Sequence, residues 1–129
     1  MLFRTPLTDT DVMAKLSTHV LDTHGGKPAA AMTFSLWFEE SQGWQKLGDF
    51  CTNADGRCDQ PLLQDQALRC GVYQLRFEAE AYYRQQGVAL ASPGFVNQVV
   101  LQFGIADATQ NYHVPLLLTP WSYSTYRGS

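Results

Sequence analysis

The apolar positions of this chain recur with a period of two, and Gly, Pro, Asn and Asp interrupt them at short intervals, the pattern of short strands joined by turns. In residues 32–38, Met32, Phe34, Leu36 and Phe38 share one face while Thr33, Ser35 and Trp37 share the other. Residues 73–79 repeat the alternation, with Tyr73, Leu75 and Phe77 inward against Gln74, Arg76 and Glu78. Residues 95–105 read as a third strand, with Phe95, Val99, Leu101, Phe103 and Ile105 in phase. Residues 16–22, 44–50, 111–118 and 121–127 supply further strands, and Thr119-Pro120 breaks the last two apart, because proline cannot donate to a ladder. One stretch departs from this period. Residues 78–86 are rich in Glu, Ala and Gln and stop at Gly87, which predicts one short helix around residues 79–86. The sum is an all-β sandwich of seven to eight strands carrying a single helix.

A length of 129 residues supports one hydrophobic core and not two, so a second wall for any active site has to come from another subunit. Residues 1–14 show no usable pattern and are expected to form a loosely held leader to a domain at residues 15–129. With 45% hydrophobic, 12% aromatic and 16% charged residues the chain reads as a folded globule. Its net charge of −3 and lack of a basic run exclude nucleic acid as a partner. No apolar stretch approaches the roughly 20 residues of a membrane-spanning helix, so no membrane partner is expected either. Residues 1–15 mix Arg4, Asp9, Asp11 and Lys15 with no apolar h-region, and the three cysteines form neither a Cys-x-x-Cys pair nor an even framework. A reducing, cytoplasmic setting is the expectation.

Three segments place titratable residues inside otherwise apolar strands: Leu-Ser-Thr-His-Val-Leu-Asp ending at Asp22, the Asn-Ala-Asp-Gly-Arg turn ending at Arg57, and Tyr-His-Val-Pro-Leu-Leu-Leu ending at Leu118. A strand histidine is more often structural than catalytic. Here, however, Tyr112, Val114, Leu116 and Leu118 form one apolar face, which leaves His113 on the other beside Pro115 and Leu117. That face is apolar too and needs a cover, for which a second subunit is the natural candidate. A histidine at such a seam is dry enough for a shifted pKa. The tail Tyr126-Arg127-Gly128-Ser129 follows the final strand without a linker, so it can be held in the sheet and aimed at the same seam. Blander readings cover the rest. His24 is solvated in a Gly-rich turn; Glu78, Glu80 and Arg84 form a solvated helix face; Trp37 and Trp44 pack. Cys51 and Cys58 lie seven residues apart, a spacing that matches no compact zinc site, so no metal is expected and they read as packing residues.

Those same segments, with the terminal Tyr-Arg-Gly-Ser, resemble the transthyretin-like 5-hydroxyisourate hydrolases over residues 15–129. The tetrapeptide is the specific mark, since hormone-carrying transthyretins share the fold and lack it. The resemblance implies a transthyretin-like sandwich that hydrolyses 5-hydroxyisourate to 2-oxo-4-hydroxy-4-carboxy-5-ureidoimidazoline in urate degradation, without a cofactor. It implies His19, Arg57, His113 and Ser129 as catalytic residues, with Tyr126, Arg127 and Gly128 binding substrate. It also implies a homotetramer, two sandwich dimers face to face with the sites in the channel between them. Trp121-Ser122 stands where an aromatic-glycine pair is common, and His24 at a variable position. The alternative is a transthyretin-like carrier of a small ligand without hydrolase activity, for which His19, Arg57 and His113 make a poor apolar channel.

Overall fold

The computed structural model describes residues 14–128. Most of the expected leader and Ser129 therefore lie outside the described residues, while Ala14 is buried and its carbonyl accepts the Asp65 N–H at 2.9 Å. Among the described residues nine strands, one α-helix and a short 3-10 helix (Asp65–Ala67, between β5 and β6) follow in the order β1 (Lys15–Asp22), β2 (Lys27–Pro28), β3 (Thr33–Glu40), β4 (Gly43–Cys51), β5 (Leu63–Gln64), β6 (Gly71–Phe77), α1 (Ala79–Gln85), β7 (Val99–Ile105), β8 (Tyr112–Leu118) and β9 (Tyr123–Thr125). They form two sheets. One is ordered β2-β1-β8-β9, with β5 also on β1; the other is β4-β3-β6-β7. All pairings are antiparallel except β1–β8, which is parallel.

The core lies between the two sheets, where alternation sends it. Leu16, Val20, Leu116 and Leu118 of one sheet meet Phe34, Leu36, Tyr73, Leu75, Phe77, Val99 and Leu101 of the other, each at most 5% exposed. Removing such a side chain from water contributes roughly 1.5–3 kcal/mol apiece. Helix α1 closes one end with Ala79, Tyr82 and Tyr83 inward. The Tyr82 and Tyr83 hydroxyls donate to the two carboxylate oxygens of buried Asp22, both at 2.8 Å, and the Gly25 N–H adds a third bond at 2.8 Å. Burial works to raise the Asp22 carboxyl, but Gly25, Tyr83, Tyr82 and the nearby His24 together hold it below the usual carboxylate range. Burial and then the bond to Asp22 push both tyrosines well up.

The structure corrects three expectations. The third strand begins at Val99, and Phe95 is 82% exposed. Its partner β6 ends at Phe77 because the chain turns into α1, so residues 95–98 have no strand to pair with and run along the helix instead. Glu80 is the reason they stay there, and it is not part of a solvated face. One carboxylate oxygen accepts the Gly94 N–H at 2.8 Å and the Asn97 amide at 2.7 Å, the other pairs with Arg84 at 2.7 Å, and the side chain is only 17% exposed. Finally, β9 spans three residues rather than 121–127, since Trp121 and Ser122 sit in a turn capped by the Thr119 hydroxyl. His24 is exposed as expected, yet it also meets Trp121 edge-on with ring centroids 5.5 Å apart.

Candidate active site

The parallel β1–β8 ladder brings together two segments that lie far apart in sequence. It aligns Ser17 with His113 and His19 with Pro115. Because side chains alternate, Ser17, His19, His113 and Leu117 all emerge on the sheet face away from the core, half-buried. The hydroxyl of Ser17 lies 2.8 Å from His113 Nδ1.

The outer edge of β1 would be bare between β2 and β5. The turn of residues 53–57 fills that gap. The Asn53 side-chain oxygen accepts the N–H groups of Asp55 at 2.9 Å and Arg57 at 3.1 Å, an Asx-type closure. Gly56 takes φ +76°, and a Cβ there would collide with the Val20 carbonyl oxygen, so only glycine fits. In that conformation the Gly56 carbonyl accepts the Val20 N–H at 2.8 Å, and the Asp55 carbonyl accepts the His19 Nε2 proton at 2.9 Å. Since a carbonyl only accepts, neutral His19 carries its proton on Nε2 and leaves Nδ1 free. Arg57 leaves the turn exposed and near enough for its charge to bear on His113.

The C-terminal segment comes in from the third side. Thr125 donates to the Pro115 carbonyl at 2.6 Å, and the Gly128 N–H donates to the His113 carbonyl at 2.8 Å, forming an isolated antiparallel bridge between His113 and Gly128. A Cβ on Gly128 would stand 2.8 Å from His113 Cδ2. The Arg127 guanidinium lies 4.1 Å over the Tyr112 ring and donates to the Gln110 side chain and the Asn111 carbonyl, each at 3.0 Å. An open hollow of about 740 Å³ results, lined by Asn111, His113, Tyr126, Arg127 and Gly128. Burial first, then the positive charge of Arg57 and the neighbouring His19, hold His113 below the usual histidine range. His113 is therefore neutral near pH 7, as a proton acceptor must be.

Of the residues expected to form the site, His19, Arg57, His113 and Gly128 gather around this face. Tyr126 lines the hollow with 62% of its surface exposed. Arg127 also lines it, but its guanidinium is engaged by Gln110, Asn111 and Tyr112. Ser129 lies outside the described residues. Ser17 is not among the residues expected at the site, although its place two residues before His19 puts it on the same strand face. Cys51, Cys58 and Cys70 are free thiols, and the Cys58 thiol donates to the Cys51 carbonyl at 3.8 Å. Among the described residues no group of three or more His, Cys, Asp or Glu side chains is arranged to hold a metal, and no helix is long and apolar enough to cross a membrane.

A family model described as HIUase/Transthyretin family matches residues 16–128. The chain is 54% identical to a 5-hydroxyisourate hydrolase of Pseudomonas aeruginosa over 91% of its own length and 93% of the relative's. It is 44% identical to the 5-hydroxyisourate hydrolase of Mus musculus, over 88% and 94% respectively. Among solved structures it resembles Klebsiella pneumoniae 5-hydroxyisourate hydrolase with a TM-score of 0.74 and 33% identity, covering 91% of this chain and 100% of that one. Sea bream transthyretin in complex with thyroxine gives 0.79 at 26% identity, covering 89% and 95%. An (S)-allantoin synthase gives 0.87 at 37% identity over 94% of this chain, which spans only 46% of that longer one.

Proposed function

Because the chain belongs to the HIUase/Transthyretin family, we propose that its face of imidazoles and guanidinium hydrolyses 5-hydroxyisourate, opening the lactam to give 2-oxo-4-hydroxy-4-carboxy-5-ureidoimidazoline. The observation that carries this reading is the convergence of His19, His113 and the Arg57 turn beside Gly128, on a face of the sheet that a carrier of apolar ligands would line with hydrocarbon.

The substrate is an electron-poor bicycle whose lactam carbonyl is open to water. Catalysis has to make that water nucleophilic and stabilise an oxyanion. The two histidines share the first task, one as base and the other as orienter or proton donor, a kind of help worth roughly 10²–10⁴-fold. Neutral His113 suits the role of base. Arg57 supplies a permanent charge and a forked donor set for the oxygens of a urate-like ring and for developing negative charge. The tail residues Tyr126, Arg127 and Gly128 close the pocket, with Arg127 holding the segment down through Gln110 and Asn111. Ser129, through its hydroxyl, holds the water or a ring nitrogen.

The working assembly in this reading is a homotetramer of two face-to-face dimers. His113 and Leu117 are half-covered on this face, and Tyr126 beside His113 is 62% exposed, a surface suited to burial against another copy. Free thiols at Cys51, Cys58 and Cys70 suit a cytoplasmic location. The direct test mixes the protein with freshly made 5-hydroxyisourate and follows the ultraviolet decay. Acceleration over the spontaneous rate that is lost on deleting residues 126–129, in a protein that stays folded, is the expected result. Decay at the spontaneous rate refutes the assignment and leaves the carrier reading. Full activity in His19→Ala or His113→Ala removes that histidine from the scheme, and near-parental kcat/KM in Arg57→Lys argues against forked recognition.

A further inference from the structure

We infer that Ser17 is a positioning residue: its hydroxyl oxygen accepts the Nδ1 proton of His113 and thereby fixes the tautomer whose Nε2 lone pair faces the hollow and takes the proton from water. The inference rests on the hydrolase reading above and assigns the base within it.

The geometry comes from the ladder. Ser17 and His113 are register partners in the parallel β1–β8 pair, and alternation turns both onto the site face, where Oγ and Nδ1 stand 2.8 Å apart. Among the described residues the Ser17 hydroxyl has no other side-chain or backbone partner, so it is free to commit its oxygen to His113. Among the described residues no partner holds His113 Nε2 either, and none of their buried side-chain nitrogens or oxygens is left unbonded. Nε2 therefore reaches open space, and the open space beside His113 is the hollow. The Gly128 bridge fixes the backbone of His113 and crowds Cδ2, but it does not distinguish one ring nitrogen from the other. Ser17 is the group that does.

A hydroxyl can donate or accept, and the chemistry decides between them. If Ser17 donates, Nδ1 holds the lone pair, Nε2 already bears hydrogen, and His113 has nothing to offer water. If Ser17 accepts, water's proton passes to Nε2, the hydroxide adds to the lactam carbonyl carbon, and the ring C–N bond breaks as Nε2 returns that proton to the leaving nitrogen, giving a carboxylic acid. The Nδ1–H···Oγ bond persists in both the neutral and the charged ring. His19 is held in the opposite sense, Nε2–H toward the Asp55 carbonyl, so the two histidines present unlike nitrogens to the site. The charged and titratable groups around His113 are Lys15 and His19 on the same face of β1, Asp55 and Arg57 from the turn, and Tyr126 and Arg127 from the C-terminal segment. Burial and the Arg57 charge keep the ring neutral, the state in which a tautomer has meaning.

The test combines nitrogen-15 NMR of the histidine rings with pH–rate profiles of Ser17→Ala and Ser17→Thr. The parent is expected to show His113 protonated on Nδ1 above its pKa; protonation on Nε2 overturns the inference whatever the activity. An accepting hydroxyl favours imidazolium over imidazole, because the charged ring is the stronger donor. Removing it lowers the pKa, so the acid limb of the Ser17→Ala profile moves to lower pH, and kcat falls about 3–10-fold as the tautomers mix. Ser17→Thr keeps both near the parent. An acid limb that stays put, or moves to higher pH as a donating hydroxyl requires, also overturns it. A parent that does not accelerate 5-hydroxyisourate decay instead refutes the hydrolase reading, and the NMR result still decides the tautomer. If Ser17→Ala fails to fold, the parent spectrum and Ser17→Thr decide alone.

Discussion

Replacing Gly56 by alanine tests whether the arginine-bearing turn is clamped to β1 by a geometry open only to glycine. The residue sits at φ +76°, where an L side chain costs roughly 1–2 kcal/mol. Its new methyl would collide with the Val20 carbonyl oxygen and press on Pro28 Cβ at 3.2 Å and the Ala29 nitrogen at 3.3 Å. None of these is the loose end of a side chain. The Val20 carbonyl already accepts the Ala29 N–H at 2.9 Å, and the Val20 N–H donates to Gly56 itself at 2.8 Å, so relief means stretching main-chain bonds worth about 1 kcal/mol each. With about 1–3 kcal/mol for overpacking, keeping the turn docked costs about 3–5 kcal/mol. For a chain of this size that is a fall in Tm of about 10–20 °C. The protein's other course is to let the turn lift away, which spares stability but carries off Arg57 and the Asp55 carbonyl that orients His19, and lowers kcat/KM by about 100-fold. Thermal unfolding and steady-state kinetics on the same preparation separate the two courses. A variant whose Tm stays within about 2 °C and whose kcat/KM stays within about twofold refutes the account of the turn.

Gly128→Ala places a methyl 2.8 Å from His113 Cδ2, so kcat/KM should fall about 10–100-fold through displacement of the ring or the tail, with little change in a melting curve. Asp22→Asn keeps the shape but offers an amide N–H₂ where a buried tyrosine hydroxyl now donates, and should lower unfolding free energy by about 1–3 kcal/mol in urea titrations at neutral pH. The Asp22 carboxyl is held below its ordinary value of 3.8, so its contribution is present above that pH and is lost as acid carries it through the folded value; the gap between parent and variant should narrow there. Glu80→Gln removes the negative charge and one of the two acceptor oxygens that serve Asn97, Gly94 and Arg84, which hold its carboxyl down to about 2 from 4.5. Its melting temperature should lie below the parent's at neutral pH, the two should converge as pH falls from 4.5 towards 2, and amide exchange should quicken in residues 94–97.

What could be read from the sequence was whatever alternation encodes locally. Met32 to Phe38, Tyr73 to Phe77 and Tyr112 to Leu118 face as their pattern says, because each is a strand with one face on a core. The two-residue strands β2 and β5 are not legible in the sequence, since two residues carry no period. Phe95 shares the parity of the strand without belonging to it, because parity alone cannot tell that the neighbouring strand has ended. The site residues His19, Arg57 and His113 stood out as polar groups in apolar surroundings. Their meeting did not, because the parallel pairing joins residues 96 positions apart and nothing in either strand names the other. Ser17 shows the same gap: its face was available from His19, but its partner was known only once the ladder was.

The parallel ladder also governs when the protein can exist as a working molecule during synthesis. From β1 to β7 every strand but the first can find its main neighbour among residues already made, while β1 must wait for β8 to be translated before its inner edge is filled. A nascent chain stalled before Tyr112 thus carries an open, hydrogen-bond-hungry edge, a template for wrong partners. Closure over so long a loop favours slow folding. Chaperone dependence and sensitivity to premature termination should therefore concentrate at this one seam, which is also the seam on which the histidines sit.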